Sequence, residues 1–391
     1  MAIAIALVII VVASVLFHFL SPWWATPLAS NWKQMDDTLT ITLVITGLFF
    51  VVINLLVGYI VWRFRHRAGH RAAYAPENPK LERWLIGLTA VCIIALLAPG
   101  LIVYAEYVRP PRDAMVMEVV GQQWQWAFRF PGKSGQLGTT DPRFVSGTNP
   151  LGLNPDDPNG QDNILVMGPE VHLPLNRPIK VLLRSKDVLH DFYVPPFRAR
   201  MNMVPGMVTS FWFTPTKTGR FDILCAQLCG LGHYNMRGHV VVEEQAAFDT
   251  WLAKQQTFAM TLAKVAAPTA APAEGAAVAG ASASAADLVA QGRALAQSKG
   301  CVGCHSVDGS VGVGPSWKGL YGSTQTFSNG SSATVDDAFL KTEIEDPQAR
   351  IVKGFGPVMP KLPVTDADVV ALSAYIRSLG AGATGTPQAG K

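Results

Sequence analysis

Cys225-Ala-Gln-Leu-Cys229-Gly-Leu-Gly-His233-Tyr-Asn-Met236 places two thiols, an imidazole and a thioether within twelve residues. Thiolate with thioether is a soft donor set that favours copper over hard cations. Cysteines four apart on a loop can turn both sulfurs to one point. The Cys-Gly-Leu-Gly tract lets the backbone bend so that His233 and Met236 reach the same point. One Cys, one His and one Met serve a single copper. Here a second Cys is present, and a second imidazole lies upstream in Asp187-Val-Leu-His190. Two bridging thiolates with one imidazole on each side describe a dinuclear copper centre. Two Cys and two His also suit zinc, against which Met236 argues. In an exported domain Cys225 and Cys229 could instead form a disulfide.

The stretch resembles the CuA motif of cytochrome c oxidase subunit II, Cys-x-[Glu/Gln]-x-Cys-x-x-x-His-x-x-Met. Ser185 to His190 resembles the same family's Ser-x-Asp-Val-x-His. The resemblance implies bridging thiolates from Cys225 and Cys229 and one imidazole each from His190 and His233. It implies weak axial contacts from Met236 and from the backbone carbonyl of Gln227. Many members carry Glu at that last position, where it helps hold a magnesium at the border with subunit I. Gln227 keeps the carbonyl and lacks the carboxylate.

Around these ligands, Met115 to about Glu244 reads as β. Gln123 to Phe130 alternates, with Trp124, Trp126, Phe128 and Phe130 on one face. Short apolar runs at Ile164–Met167, Ile179–Ser185, Val208–Thr214, Gly219–Leu224 and Gly238–Glu243, separated by Gly/Pro turns, predict a sandwich or barrel. A cupredoxin-like Greek-key domain over residues 107–256 fits, with a helix at Glu244–Gln256 closing it. Gly121-Gln-Gln-Trp124-Gln-Trp126 resembles the family's Gly-x-Gln-Trp-x-Trp, whose first Trp takes electrons from cytochrome c; a core or membrane-facing aromatic is the other reading of Trp124. In Phe197-Arg-Ala-Arg200-Met-Asn202, Arg200 and Asn202 stand where the family usually has Lys and Asp. The insert at 131–163 carries Asp156, Asp157, Asn159 and Asp162 without EF-hand spacing, and reads as a solvated loop rather than a calcium site.

Ahead of this domain, residues 1–106 read as a membrane anchor. Thr38–Trp62 and Trp84–Ala105 are free of charge until their ends and long enough to span a bilayer. Arg63, Arg65, Arg67, Arg71, Lys80 and Arg83 outnumber Glu77 and Glu82 between them, which makes that loop cytoplasmic. Everything after Tyr104 is then on the outer face. Ala2–Leu20 is a third apolar run. With no Lys or Arg before Lys33 and a poor cleavage context at Ser21-Pro-Trp-Trp24, it reads as an uncleaved helix. Trp23, Trp24 and Trp32 suit an interfacial aromatic belt. Glu82 opens the last span. It reads either as a helix-start carboxylate or, by resemblance of Asn78-Pro-Lys-Leu-Glu82-Arg-Trp84, as the entrance of a proton pathway into subunit I.

Behind it, residues 257–286 are Ala/Pro-rich and read as a flexible linker. Cys301-Val-Gly-Cys304-His305 then carries the Cys-x-x-Cys-His signature of c-type haem attachment. His305 is the expected axial ligand. Met359 in Gly356-Pro-Val-Met359-Pro is the only Met after Cys304 and is the expected sixth ligand. Helices at Asp287–Lys299 and from Thr365 to Leu379 frame an all-α class I cytochrome c domain over 287–391. Its nine basic and nine acidic residues show no polarised docking face.

The five cysteines divide into two pairs and a lone Cys92 in an apolar run, leaving no disulfide framework. Net charge of +4 with 15% charged residues does not call for nucleic acid, and 49% hydrophobic content agrees with membrane segments. The chain therefore resembles subunit II of a haem–copper oxidase with a fused cytochrome c domain, multi-pass in a bacterial inner membrane. The resemblance implies two coppers, haem c, subunit I and further oxidase subunits as partners. It implies a quinol-oxidising complex or a soluble cytochrome as donor. A nitric oxide reductase subunit and a copper-binding assembly factor are the alternatives.

Overall fold

The computed structural model describes residues 2–21, 26–71, 76–146, 148–266, 284–310, 312–362 and 364–380. These divide into two compact units, residues 1–111 with 196–198, and residues 112–195 with 199–391.

The first unit is helical. α1 (Ala2–Leu20), α2 (Lys33–Arg63) and α3 (Pro79–Tyr107) are each long and apolar enough to cross a membrane. Both expected later spans run further than the uncharged sequence because polar residues make the ends. Asn78 Oδ1 accepts from Leu81 N and Pro79 takes the first helical position, where a missing N–H costs nothing. Within α2, the hydroxyls of Thr38, Thr42 and Thr46 donate back to the carbonyls of Gln34, Thr38 and Thr42. Polar groups in an apolar helix are thereby satisfied without water. Gly58 of α2 faces the Ala4 carbonyl of α1, a close crossing that the missing side chain permits. Phe17, Leu48, Ile86 and Leu101 stand exposed, as lipid-facing side chains do. Trp32 departs from the expected belt: it is buried, edge-on to Tyr107 at 5.2 Å. Trp23 and Trp24 lie outside the described residues.

The second unit opens with a two-sheet sandwich. One sheet holds β1 (Met115–Gln122), β2 (Gln125–Phe130), β3 (Ile164–Met167), β5 (Ile179–Ser185), β8 (Thr209–Phe213) and β11 (Gln256–Thr257) in the order β11-β3-β2-β1-β5-β8. The other holds β4 (Glu170–Pro174), β6 (His190–Val194), β7 (Ala199–Met203), β9 (Gly219–Cys225) and β10 (Arg237–Glu243) in the order β4-β10-β9-β6-β7. β1 runs parallel to β5 and β10 parallel to β4; the other pairs are antiparallel. Phe128, Val181, Phe192, Phe211 and Val240 are fully buried in its core.

Two expectations are corrected here. Trp124 does not continue the alternating strand; it lies in the turn between β1 and β2. On the other face of β2, Arg129 is buried and donates to Glu118 at 2.8 Å and to Asn163 at 3.1 Å. Arg184 closes on the same Glu118 at 2.9 Å. The second correction is the linker, expected from residue 257. After α4 (Gln245–Leu252), β11 pairs with β3 and α5 (Phe258–Ala266) follows. Phe258 is fully buried among Val120, Leu153 and Leu165, because this one large ring in an otherwise small-residue stretch finds a pocket. Residues 267–283 of the expected linker lie outside the described residues. The insert at 131–163 is tied down rather than merely solvated. Asp157 accepts from the Thr139 amide and hydroxyl, and Asp162 from the Ser134 amide.

The C-terminal part is helical, with α6 (Ala285–Ser298), α7 (Asp337–Glu345) and α8 (Asp366–Ser378). Ser284 caps α6, and Thr365 and Asp368 form a reciprocal capping box on α8. α6 and α8 cross at Gly292, where a Cβ would fall 2.0 Å from the Ala371 carbonyl. Ala296, Trp317, Leu372, Tyr375 and Ile376 form the core between them.

Candidate functional site

Strand pairing assembles the first site from distant sequence. β6 and β9 are neighbours, with Phe192 opposite Cys225, so His190 at the start of one strand meets Cys225 at the end of the other. The Cys225 amide donates to the Met236 carbonyl and the Ala226 amide to the Asp191 carbonyl, which folds the ligand loop over the strand ends. Cys225 Sγ and Cys229 Sγ lie 3.7 Å apart. A disulfide needs about 2.05 Å, so the two thiols face one another unbonded. His190 Nδ1 is 3.9 Å from Cys225 Sγ, and His233 Nδ1 is 3.6 Å from Cys229 Sγ. Met236 Sδ lies 3.9 Å from Cys229 Sγ, and the Gln227 carbonyl 3.2 Å from Cys225 Sγ. All six residues singled out from the sequence thus converge, each sulfur with its own imidazole.

The electrostatics suit a cation. Cys225 is pulled down to about 3, first by the hydrogen bond from the Cys229 thiol and, against the cost of burial, by His190. Cys229 is pushed up because it holds the proton shared with Cys225, and burial adds to this. One negative charge is stable here and a second is not until positive charge arrives. Outside the pair, His190 Nε2 lies 2.8 Å from Asp187 Oδ1. Burial opposes ionisation of Asp187, but hydrogen bonds from His190, Gln123 N and Val188 N hold it below its ordinary range. Asp191, a buried acid beside the site, is raised by burial despite its 3.1 Å contact with Arg200.

Trp124 sits directly on the ligand loop. Its indole Nε1 donates to the Cys229 carbonyl at 3.1 Å, and Gln123 Nε2 donates to the same oxygen at 2.8 Å. A Cβ on Gly232 would fall 2.3 Å from the indole ring, so only glycine fits there. The structure therefore gives Trp124 a hydrogen bond to a ligand residue's backbone rather than a place on a strand face.

The second site lies between α6 and the Met359 loop. Gly300, with φ +77°, ends α6 and turns the chain into Cys301–Gly303. Cys301, Cys304, His305 and Met359 line one cavity of about 400 Å³, with Pro315, Leu320 and Phe355 among its apolar walls. His305 Nδ1 lies 2.8 Å from the Pro315 carbonyl, which fixes the ring and leaves Nε2 for a metal. Trp317 stacks on the same ring at 5.2 Å. Burial lowers His305, keeping it neutral, and raises both thiols to about 11. Two thiols separated by two residues, an adjacent neutral imidazole and a thioether share one apolar cavity, so the residues present fit a c-type haem.

Glu82 belongs to the helical unit. It is exposed in the first turn of α3, where Oε1 accepts from the Asn78 amide at 3.3 Å. Asp187, Gln123, Gly232 and the Pro315 carbonyl were not singled out as functional from sequence. Asp187 was within reach, since it lies inside the Ser185–His190 motif. Gln123 was too, inside the Gly121–Trp126 motif and acting through its side-chain amide; Gly232 and the Pro315 carbonyl act through space or backbone, and no residue pattern marks those roles.

Residues 115–244 match the cytochrome c oxidase subunit II periplasmic domain family, and residues 289–380 match the cytochrome c family. The alternative cytochrome c oxidase subunit 2 of Bradyrhizobium diazoefficiens is 56% identical over 259 residues, 66% of this chain and 94% of that protein. Cytochrome c oxidase subunit 2 of Alkalihalophilus pseudofirmus is 24% identical over 353 residues, 88% of this chain and 86% of that one. The crystal structure of the periplasmic domain of subunit II of cytochrome oxidase from Bradyrhizobium japonicum shares 26% identity over 37% of this chain and 95% of that one, with a TM-score of 0.27. The subunit II domain implies CuA copper, and the cytochrome c domain implies haem c. More than half of the aligned residues are shared with a subunit 2 over nearly its whole length, and the chain belongs to the cytochrome c oxidase subunit II family.

Proposed function

We propose that this chain is the electron-transfer subunit of a respiratory haem–copper oxidase, passing electrons from its own haem c to a dinuclear CuA centre and on to subunit I, where oxygen is reduced and protons are pumped. The observation that carries this reading is the thiol pair, 3.7 Å apart with one Nδ1 facing each sulfur. A single copper or zinc would not need this near-symmetric arrangement. When bound, the copper pair supplies a one-electron carrier whose charge is shared over two nuclei and two sulfurs.

The protein's part is to hold that geometry still. Cys225, Cys229, His190 and His233 would hold the copper pair, with Met236 and the Gln227 carbonyl as its weaker ligands. Strand ends anchor His190 and Cys225, so the ligand frame resists movement as charge changes. Trp124 is the entry point, through its hydrogen bond to the Cys229 carbonyl. Cys301 and Cys304 would attach the haem, and His305 and Met359 would supply its iron ligands. Glu82 marks the start of a proton path at the cytoplasmic end of α3. The magnesium implied by the resemblance would receive no carboxylate from position 227.

We place the protein in a bacterial inner membrane, multi-pass, with both redox domains outside. Its partners are subunit I and further oxidase subunits, and its donor is a quinol-oxidising complex or a soluble cytochrome. Metal analysis and EPR of the full chain, matured with haem, test the reading. Two coppers per haem, with hyperfine structure from one electron shared by both nuclei, are expected. One copper or zinc without that signal would overturn the dinuclear site.

A further inference from the structure

We propose that Glu343 and Arg350 form a charge pair in the wall of the haem cavity that sets how readily the haem gives up its electron, Glu343 favouring the loss and Arg350 opposing it. This rests on the reading of Cys301, Cys304, His305 and Met359 as a haem c site. It goes beyond that reading by assigning two residues that neither attach the haem nor bind its iron.

Phe339 and Glu343 stand one helical turn apart on α7 and so share a face. Both line the cavity that Cys301, Cys304, His305 and Met359 line. Arg350 lines it too, from the segment that leads to Met359. That segment is held where Gln348 Nε2 donates to the Met359 carbonyl at 2.9 Å. Arg350 Nε and Nη2 both reach Glu343 Oε1 at 2.9 Å. The guanidinium is fixed by aromatic rings as well. Its Cζ lies 4.8 Å from the Phe327 centroid and 5.0 Å from that of Phe339. Ring faces attract cations, and these two rings are buried and stacked 5.8 Å apart.

An ion pair open to solvent is screened and acts over little distance. This one is partly withdrawn from water: the Glu343 side chain is 16% exposed and that of Arg350 is 32% exposed. Burial raises Glu343 above its ordinary 4.5 against the pull of Arg350, and Asp346 adds to the rise. An apolar cavity wall passes on the field of a charge with less loss than water does. Oxidation of a haem adds one positive charge, which a nearby carboxylate stabilises and a nearby guanidinium destabilises. The carboxylate is the deeper member of the pair, so its effect is the larger and the pair favours electron loss. That suits a carrier that must hand its electron on to copper.

The test is a redox titration at neutral pH, followed by haem absorption, on the full chain with haem and copper bound. Glu343→Gln keeps the shape and removes the negative charge. Arg350→Met removes the positive charge and keeps an apolar stem against the two rings. Glu343→Gln should make reduction of the haem about tenfold more favourable, a rise of ~59 mV for one electron. Arg350→Met should move the potential the other way. A merely structural pair would loosen the cavity in both variants and move both in the same direction. Shifts of one sign, an unchanged potential in Glu343→Gln, or loss of haem from both variants would each overturn the proposal. A wild-type chain without covalent haem would overturn the haem reading and the proposal with it. A haem-loaded wild type with unshifted variants would overturn the proposal alone.

Discussion

His190 turns Nε2 to Asp187 Oδ1 at 2.8 Å and Nδ1 to Cys225 Sγ at 3.9 Å, so one ring joins a carboxylate to the thiol pair. The carboxylate fixes which nitrogen carries the proton and makes the other a stronger donor. Asp187→Asn keeps the shape and removes the charge. Copper affinity should fall by about 10–100-fold, with the sandwich still folded. A competition titration against a chelator checks this, and an unchanged affinity would assign Asp187 to loop structure alone.

Glu118 predicts an acid limb in stability. Burial opposes its charge, yet Arg129 and Arg184 hold it below its ordinary 4.5 in the folded chain. A depressed folded value means that this group's stabilisation is fully present above the unfolded value. It is lost as pH falls through the folded one. Glu118→Gln should therefore melt lower at neutral pH, by on the order of 3 kcal/mol, since it takes the carboxylate from the buried Arg129 and the half-buried Arg184. Its loss on acidification to about pH 3 should be smaller than that of the wild type. Melting curves across that range decide the point.

Gly232→Ala should push the Trp124 indole off the ligand loop, because the added Cβ would fall 2.3–2.7 Å from three ring atoms. The expected cost is about 1–3 kcal/mol. Thermal unfolding measures it, and the copper charge-transfer bands should shift as the Cys229 carbonyl loses its indole partner.

In the haem domain, Gly314→Ala places a Cβ 2.6 Å from His305 Cε1. Haem should still attach through Cys301 and Cys304, but with the His305 ring displaced. Loss of the low-spin spectrum with the thioethers intact by mass spectrometry is the expected result.

Phe258→Ala tests where the copper domain ends. The ring is fully buried, so truncation should cost about 3–5 kcal/mol. A chain whose sandwich melts unchanged would return α5 to the linker.

The two cofactor sites were legible unusually early, because soft-metal and haem chemistry restrict residue type and spacing within a dozen residues. Cys225, Cys229, His233 and Met236 need no tertiary argument to be recognised together. The membrane helices were equally plain, since a bilayer demands long apolar runs. Their ends were not: Pro79 starts a helix behind the Asn78 cap, and Lys33 starts one with polar residues in its first turns, neither of which hydropathy marks. Trp124 was misplaced onto a strand face because alternation cannot show where a hairpin turns.

Sequence by itself determined the kinds of atom available: thiols, imidazoles and thioethers at fixed spacing, and apolar segments of membrane length. Tertiary structure alone decided which distant groups meet. The pairing of β6 with β9 carried His190 to Cys225 across 35 residues. Packing likewise buried Arg129 beside Glu118 and seated Gly303 against Trp124. The physical reason is locality. Ligand chemistry and helix formation act over a few neighbouring residues, whereas sheet register and close backbone approach depend on partners that no local pattern names.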